Sequence, residues 1–147
     1  MNNLLSTPLT KMLNIDFPII QAPMFLVSNS DMLIEAANSG ITGCVPALNY
    51  RTINELRDAI LEIKNNCSGP LGVNLIVNKF NTKFHKQLDV CLESEVDYII
   101  TSLGNPKSTI DACRAKGIKV FCDVVNLEYA QKVESLGADA IIAVNNR

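Results

Sequence analysis

The 147-residue sequence contains no long apolar run and no cluster of basic residues. Without an uninterrupted apolar stretch of about 18–20 residues, it offers no candidate membrane span. Its N-terminus lacks the basic start and apolar core of a signal peptide. Lys and Arg number 13 against 15 Asp and Glu, and this mixed, near-neutral charge does not indicate a nucleic-acid partner. We therefore expect neither a membrane nor a nucleic acid as a partner.

Paired cysteines are also missing. The five cysteines are odd in number, widely spaced and never arranged as C-x-x-C, which argues against a disulfide framework and against a zinc site. We therefore expect these cysteines to be buried as small hydrophobic residues of a cytoplasmic protein. Charged residues make up 19% and hydrophobic residues 48% of the chain, which excludes a disordered protein. The length suits one domain over residues 1–147.

Familiar catalytic and nucleotide-binding motifs are absent as well. The sequence has no H-E-x-x-H, no phosphate loop and no Ser/His/Asp set. Its only histidine, His85, directly follows Phe84, which belongs to the apolar stripe of a predicted helix. We therefore expect His85 to face solvent and to have no catalytic role.

What the sequence does contain is a regular alternation of apolar strands and amphipathic helices. Six nearly continuous apolar runs begin near residues 18, 41, 71, 98, 119 and 140, and such runs are typical of parallel strands covered on both faces. Helix start and stop signals separate them, among them the Thr52 to Glu55 capping box and the glycines 40, 117 and 137. The pattern predicts an α/β fold with six strands and five helices.

Two architectures fit this alternation. A doubly wound sheet suits the length, but no G-x-G-x-x-G follows the first strand, so a dinucleotide site has no support. A (β/α)8 barrel of the TIM type suits the regular period better, although it needs roughly 200–250 residues. We therefore expect an incomplete barrel. Six strands that do not close leave apolar strands at both edges, so we also expect self-association.

Three polar or rigid residues interrupt the apolar strands. Pro23 marks the exit of the first strand, either as a simple kink or as a site where backbone groups meet a flat polar ligand. Asn74 lies inside the strand of residues 71–77, and a buried amide there must bond either to a neighbouring loop or to a ligand. Asp123, inside the strand of residues 119–125, raises the same alternatives, with a structural role favoured.

Four segments carry a resemblance to a known family. They are PIIQAPM at 18–24, LGVNL at 71–75, TSLGNP at 101–106 and GADAII at 137–142. In this order and at these spacings they resemble the nitronate monooxygenase family, which also contains the flavin-dependent enoyl-acyl-carrier-protein reductases. The resemblance extends over about residues 16–147.

The resemblance implies a function and a set of cofactor contacts. It implies an FMN-binding TIM barrel, a cytoplasmic flavoprotein oxidoreductase that oxidises alkyl nitronates with O2. In the family, the segment matching Ala22, Pro23 and Met24 lines the flavin ring through its backbone, and the position matching Asn74 bonds to the flavin. An alternative within the family is an enoyl-reductase-like enzyme that uses NAD(P)H and FMN.

The sequence also departs from the family pattern. Where family members usually carry Gln or Glu, this chain has Val144, and the family's catalytic histidine would lie beyond Arg147. The resemblance therefore assigns no catalytic residue here and implies that residues 1–147 are the N-terminal portion of a barrel, truncated and inactive alone. An alternative of another class is a non-catalytic fragment that acts only by assembly with a complementary chain.

Overall fold

The computed structural model describes residues 5–144 and is built around one sheet of six parallel strands. The strands are β1 Ile20–Gln21, β2 Thr42–Pro46, β3 Leu71–Ile76, β4 Tyr98–Ser102, β5 Lys119–Val124 and β6 Ala140–Ala143. They lie in the order β1-β2-β3-β4-β5-β6. This sequential order is that of a (β/α) barrel, because a doubly wound sheet reverses its order at a switch point. The predicted incomplete TIM barrel is confirmed.

Six helices accompany the strands in the described residues, one more than the sequence predicts. They are α1 Pro8–Leu13, α2 Ser30–Asn38, α3 Ile53–Asn66, α4 Phe84–Glu93, α5 Lys107–Arg114 and α6 Leu127–Leu136. The prediction of five helices is wrong because it omits α1. With only 6 residues, α1 is too short to show helical periodicity. Its signals are local: Thr7 and Thr10 form a capping box around Pro8.

Hydrogen bonds confirm the predicted starts of α3 and α6. The Thr52 hydroxyl accepts from the Glu55 amide at 3.1 Å, and the Asn126 side chain accepts from the Tyr129 amide at 2.9 Å. Gly137 ends α6 in the left-handed region, with φ of 87°, where a residue without Cβ is favoured. These caps fix where α3 and α6 begin and where α6 ends.

The first strand is much shorter than the predicted run of residues 17–24. Only Ile20–Gln21 pairs with β2, while the amides of Asp16 and Phe17 donate to the carbonyl of Gly40. Pro18 and Pro23 flank the paired part, and proline has no amide hydrogen to continue a ladder. The chain therefore leaves the sheet directly after Gln21.

The larger of two cores lies between the sheet and its helices. Leu56, Ala59, Ile60 and Ile63 form the buried stripe of α3 at the spacing that the sequence predicts, and they pack with outward-facing strand residues such as Val73. Full burial of a Leu or Ile side chain stabilises the fold by about 1.5–3 kcal/mol. This core holds the sheet in its curved shape.

The smaller core fills the lower half of the inner face. Leu13 and Ile15, at the end of α1 and just after it, pack there with the stacked rings of Tyr98 and Phe121, whose centroids are 5.1 Å apart. The Tyr98 hydroxyl donates to the Gly43 carbonyl at 2.8 Å, and burial raises the pKa of this phenol. In this lower half the hydroxyls of Thr42 and Tyr98 both donate to backbone carbonyls.

The five cysteines are unpaired thiols. Cys44, Cys91, Cys113 and Cys122 are buried and Cys67 is half-buried, as expected for small hydrophobic residues. Burial raises the pKa of Cys113 to about 12, so this thiol stays neutral. Within residues 5–144, no helix has both the length and the apolar character needed to cross a membrane.

We predict that the chain self-associates at tens of micromolar, because β1 and β6 are sheet edges with unpaired backbone groups. Ile141 in β6 is 41% exposed, and Ile141→Lys places a charge on that edge. Sedimentation velocity should show less association for this variant. Leu61→Lys, at a 48% exposed helix position, is the matched control and should associate like the wild type. A stable wild-type monomer would contradict the open edges.

A second prediction concerns Gly72, which makes room for Tyr98. A Cβ at Gly72 would lie 2.6 Å from Tyr98 Oη and closer still to the ring, so Gly72→Ala should lower the free energy of unfolding by about 1–3 kcal/mol. In a Tyr98→Leu background the same change should cost much less, because the ring is gone. Urea unfolding of the four proteins measures both costs. Equal costs in the two backgrounds would show that the ring is not the obstacle.

Candidate functional site

Three polar side chains share the upper half of the inner face. Asn74 in β3 lies opposite Ile100 in β4, and Ile100 belongs to the inner core. Because side chains of a strand alternate between faces, Ser102 points to the same side as Ile100. By the same alternation, Asp123 in β5 shares the face of Phe121. Three neighbouring strands therefore each present one polar group at the opening of the half-barrel.

These three side chains form one hydrogen-bonded line, which we call the inner polar line. The Asn74 amide nitrogen donates to the Ser102 hydroxyl at 2.8 Å and to the Ile100 carbonyl at 3.1 Å. Ser102 donates in turn to Oδ2 of Asp123 at 2.5 Å. The donors all point one way, from β3 towards β5. The line ends at a carboxylate.

The residue at each end of the inner polar line has one side-chain oxygen outside the line. Within residues 5–144, Oδ1 of Asn74 accepts no hydrogen bond, and neither does Oδ1 of Asp123. Asn74 is 7% exposed, and Asp123 is half-buried. Burial raises the pKa of Asp123, while the hydrogen bond from Ser102 acts in the opposite direction. The line thus holds a partly desolvated carboxylate in a fixed orientation.

A cavity of about 570 Å³ opens beside Asp123. Its polar lining includes Ser102, Asp123 and Lys132. Most of the rest of its wall is apolar, contributed by Tyr129 of α6 and by the loop and strand-end residues Leu103, Val124, Val125 and Val144. A volume of this size is typical of small-molecule sites. The cavity lies at the carboxyl ends of β4, β5 and β6, where barrel enzymes place their chemistry.

A second part of this rim is the loop of residues 22–28, which follows β1. The buried hydroxyl of Ser28 accepts from the Met24 amide at 2.9 Å and donates to the Ala22 carbonyl at 2.8 Å. Asn49 accepts from the Leu26 amide and donates to the Ser28 carbonyl, both at 2.8 Å. The loop is therefore fixed by side chains, while its own apolar side chains, such as Met24 at 41%, stay exposed.

The structure places all four predicted cofactor contacts at the same end of the sheet. Ala22, Pro23 and Met24 lie in the loop after β1, and Asn74 lies two strands away in β3. The nitrogen of Asn74 donates within the sheet, as the structural alternative predicts, while a bond from Asn74 to a ligand stays a prediction. His85 is exposed at the start of α4, with its ring 5.1 Å from that of Phe84. It lies outside this site, as the sequence predicts.

Sequence reasoning missed two residues of the site. Ser102 joins Asn74 to Asp123, and Ser28 shapes the first loop. Ser102 belongs to the TSLGNP segment at 101–106, but its place at the end of an apolar strand, which many serines share, gave it no distinct role. No group of three metal-ligating side chains converges in the part of the chain that the structure describes.

Comparisons with known proteins identify the family. The family model described as nitronate monooxygenase matches residues 6–83, just over half of the chain. A relative in Rhodococcus jostii, named (3aS,4S,5R,7aS)-5-hydroxy-7a-methyl-1-oxo-octahydro-1H-indene-4-carboxyl-CoA dehydrogenase, is 28% identical over 94% of this chain and 38% of its own length. A probable nitronate monooxygenase of Staphylococcus haemolyticus is 35% identical over 55% of this chain and 22% of its own.

Solved structures show the same architecture. FabK from Thermotoga maritima superposes with a TM-score of 0.87 at 29% identity, covering 94% of this chain and 43% of its own. A nitroalkane oxidase from Streptomyces ansochromogenes gives 0.83 at 22% identity, covering 95% of this chain and 49% of its own, a likeness of fold. The chain thus spans less than half the length of these relatives. On the match over residues 6–83, the chain belongs to the nitronate monooxygenase family.

Proposed function

We propose that this chain is the flavin-contacting portion of an FMN-dependent oxidoreductase that oxidises alkyl nitronates with O2. Its family supports the reaction class. The observation that carries the cofactor assignment is Asn74, whose nitrogen is held by the sheet while its Oδ1 accepts no hydrogen bond within residues 5–144. Alkyl nitronates and O2 are the small-molecule partners of this proposal.

The orientation of Asn74 suits a flat ring with a polar edge. Its two nitrogen bonds, to the Ile100 carbonyl and to Ser102, prevent the amide from turning. Oδ1 is then positioned to accept a hydrogen bond, and the isoalloxazine ring carries one N–H at its pyrimidine edge. A fixed acceptor loses little side-chain entropy on binding, which favours affinity.

The loop of residues 22–28 provides the second contact. The Met24 amide already donates to Ser28, and the Ala22 carbonyl already accepts from Ser28. The Pro23 carbonyl accepts no hydrogen bond within residues 5–144, and the Met24 side chain is exposed beside it. We assign the ring contact to this carbonyl and side chain, with Ala22 setting the path of the backbone.

The phosphate of FMN needs other parts of a barrel. Barrels commonly bind phosphate through loops after strands 7 and 8, and residues 5–144 contain six strands. In this proposal residues 1–147 form one domain that supplies strands 1–6, and the remaining strands come from further polypeptide. The coverage of 43% of FabK supports this arrangement. Losing charge-assisted bonds of about 1.5–3 kcal/mol each would leave FMN weakly held.

Two alternatives make different demands on the same site. An enoyl-reductase-like enzyme would take electrons from NAD(P)H. A non-catalytic fragment would act only by assembly with a complementary chain. Oxidation of NADH with no nitronate present would support the first alternative, and a flavin-free assembly would support the second.

We predict that the chain binds FMN and riboflavin with similar, weak affinity, within about twofold, because it contacts the ring and not the phosphate. Asn74→Ala should weaken both about 2- to 10-fold, as expected for one neutral hydrogen bond of about 0.5–1.5 kcal/mol. Quenching of flavin fluorescence measures the affinities.

Ser102→Ala is the matched control for this prediction. It breaks the same 2.8 Å bond but keeps Oδ1 of Asn74 and the bond to the Ile100 carbonyl, so flavin affinity should fall less than in Asn74→Ala. Thermal unfolding without flavin should show comparable losses for both variants, roughly 1–3 kcal/mol. Equal losses of flavin affinity in the two variants would contradict a direct contact from Asn74.

A further prediction concerns turnover. The chain alone should consume no O2 with ethyl nitronate, whereas the chain coexpressed with a polypeptide carrying the remaining strands of a family member should consume O2 and show flavin absorption. An oxygen electrode and a visible spectrum measure the two. Oxygen uptake by the chain alone would overturn the proposal that strands 7 and 8 are required.

A further inference from the structure

Two surfaces near the middle of the sheet take no part in the proposed flavin contacts. The first is the turn after β3 together with the start of α4, residues 78–86, which we call the basic turn. It contains three lysines that are not consecutive, Lys79, Lys83 and Lys86, and residues 63–88 include no Asp or Glu. The chain as a whole has a net charge of -2. Positive charge is therefore concentrated in this part of the molecule.

The basic turn exposes one aromatic side chain on a fixed backbone. Phe80 is 79% exposed, and Nζ of Lys79 lies 5.3 Å from the centroid of its ring. The Asn78 side chain accepts from the amides of Phe80 and Asn81 at 2.9 and 3.1 Å. Asn81 donates to Oε1 of the buried Gln87 at 2.9 Å, which anchors the turn to the core. An aromatic ring on an ordered backbone loses little entropy on binding and is typical of an interface anchor.

The second surface is a negatively charged groove between α2 and α3, which we call the acidic groove. It has a volume of about 490 Å³ and is lined by Ser30, Tyr50, Glu55, Asp58, Ala59 and Glu62. Asp58 and Glu62 are exposed, and neither forms an ion pair within residues 5–144. The acidic groove therefore combines an aromatic ring with unpaired carboxylates. It is the chemical complement of an exposed phenylalanine flanked by lysines.

Arg51 lies at the boundary between the two surfaces. Its carbonyl accepts from Nζ of Lys83 at 2.5 Å, and its amide donates to Oε2 of Glu55 at 2.8 Å. Just before it in the chain, Leu48 lines a groove of about 330 Å³ beside the basic turn, while Tyr50 lines the acidic groove. A positive and a negative surface that lie side by side are complementary to the same pair on a second copy related by a two-fold axis.

We propose that these two surfaces form a two-fold contact between two copies of this chain. The basic turn of each copy lies on the acidic groove of the other, with Phe80 against Tyr50 and the lysines opposite Asp58 and Glu62. Because the same contact is made in both directions, assembly stops at a dimer. Neither surface belongs to an open edge, since β2 and β3 are interior strands. This contact is therefore distinct from pairing at the sheet edges.

The charges and the ring contribute to the contact in different ways. Charges at the rim of an interface speed association and are screened by salt, whereas burial of Phe80 removes apolar surface from water. We expect the dissociation constant of the dimer to rise about 10-fold between roughly 0.05 and 0.5 M NaCl. A dissociation constant that does not change over this range would contradict the pairing of charges.

Charge-swapped variants test the pairing by sedimentation velocity. Every protein carries Ile141→Lys, which suppresses pairing at the β6 edge. One variant combines Lys79→Glu with Lys86→Glu, and the other combines Asp58→Lys with Glu62→Lys. Alone, each should dimerise about 10²-fold more weakly, because like charges then meet in both halves of the contact. A 1:1 mixture should recover the dimer, because opposite charges meet again in both halves.

Two matched controls accompany these variants. Lys11→Glu with Lys116→Glu changes the net charge equally at two exposed lysines outside both surfaces, so it should dimerise like the parent protein. Phe80→Ala should weaken the dimer about 10²-fold, because the ring enters the contact twice. Leu127→Ala, at a 73% exposed helix position, should leave the dimer unchanged. Circular dichroism confirms that each variant is folded.

Several results would overturn the proposal. They are a parent protein that stays monomeric at about 100 μM, the usual range for weak interfaces, a charge-swapped variant that dimerises like the parent, and a 1:1 mixture that stays monomeric. Oligomers larger than a dimer in the Ile141→Lys protein would contradict the two-fold arrangement. Flavin takes no part in these measurements, so their outcome is independent of the proposed function.

Discussion

The buried phenol of Tyr98 is the contact on which the inner face depends. Its ring stacks on Phe121, and its hydroxyl reaches across β3 to the Gly43 carbonyl of β2, which is possible only because Gly72 has no side chain between them. Tyr98 thereby links its own strand, β4, to β2 on one side and to β5 on the other. It fills the lower half of the inner face, below the inner polar line.

The alternation of side chains along each strand places the polar residues of the site one layer above this aromatic pair. A residue two positions beyond a buried inner residue is again an inner residue, one layer higher. Ser102 stands in this relation to Ile100, and Asp123 to Phe121. Because neighbouring strands are in register, the polar residues of that upper layer come within hydrogen-bonding distance. The direction of their donors then follows from chemistry, since an amide nitrogen can only donate and a carboxylate can only accept.

The sequence predicts the repetitive parts of this molecule well, because strand runs, caps and stop glycines are local signals. It misses α1, whose single capping box and 6 residues give no periodic pattern, and it overestimates β1, where flanking prolines end the pairing. Asn74 is recognisable as an exceptional buried amide, although its two bonds to β4 are not. Ser102 escapes notice because it bonds to a residue on each neighbouring strand, β3 and β5. Its role therefore depends on how three separate segments align in the sheet.

The hydrogen bonds of Asn49 have a consequence for how tightly any flat ligand is held. This side chain lies at the end of a short 3-10 helix after β2 and clamps the loop of residues 22–28 through Leu26 and Ser28. Ordering a mobile backbone costs about 1–2 kcal/mol per residue, and a loop that is already ordered does not impose this cost on a ligand. Affinity at the rim is therefore determined partly by a residue that need not touch the ligand.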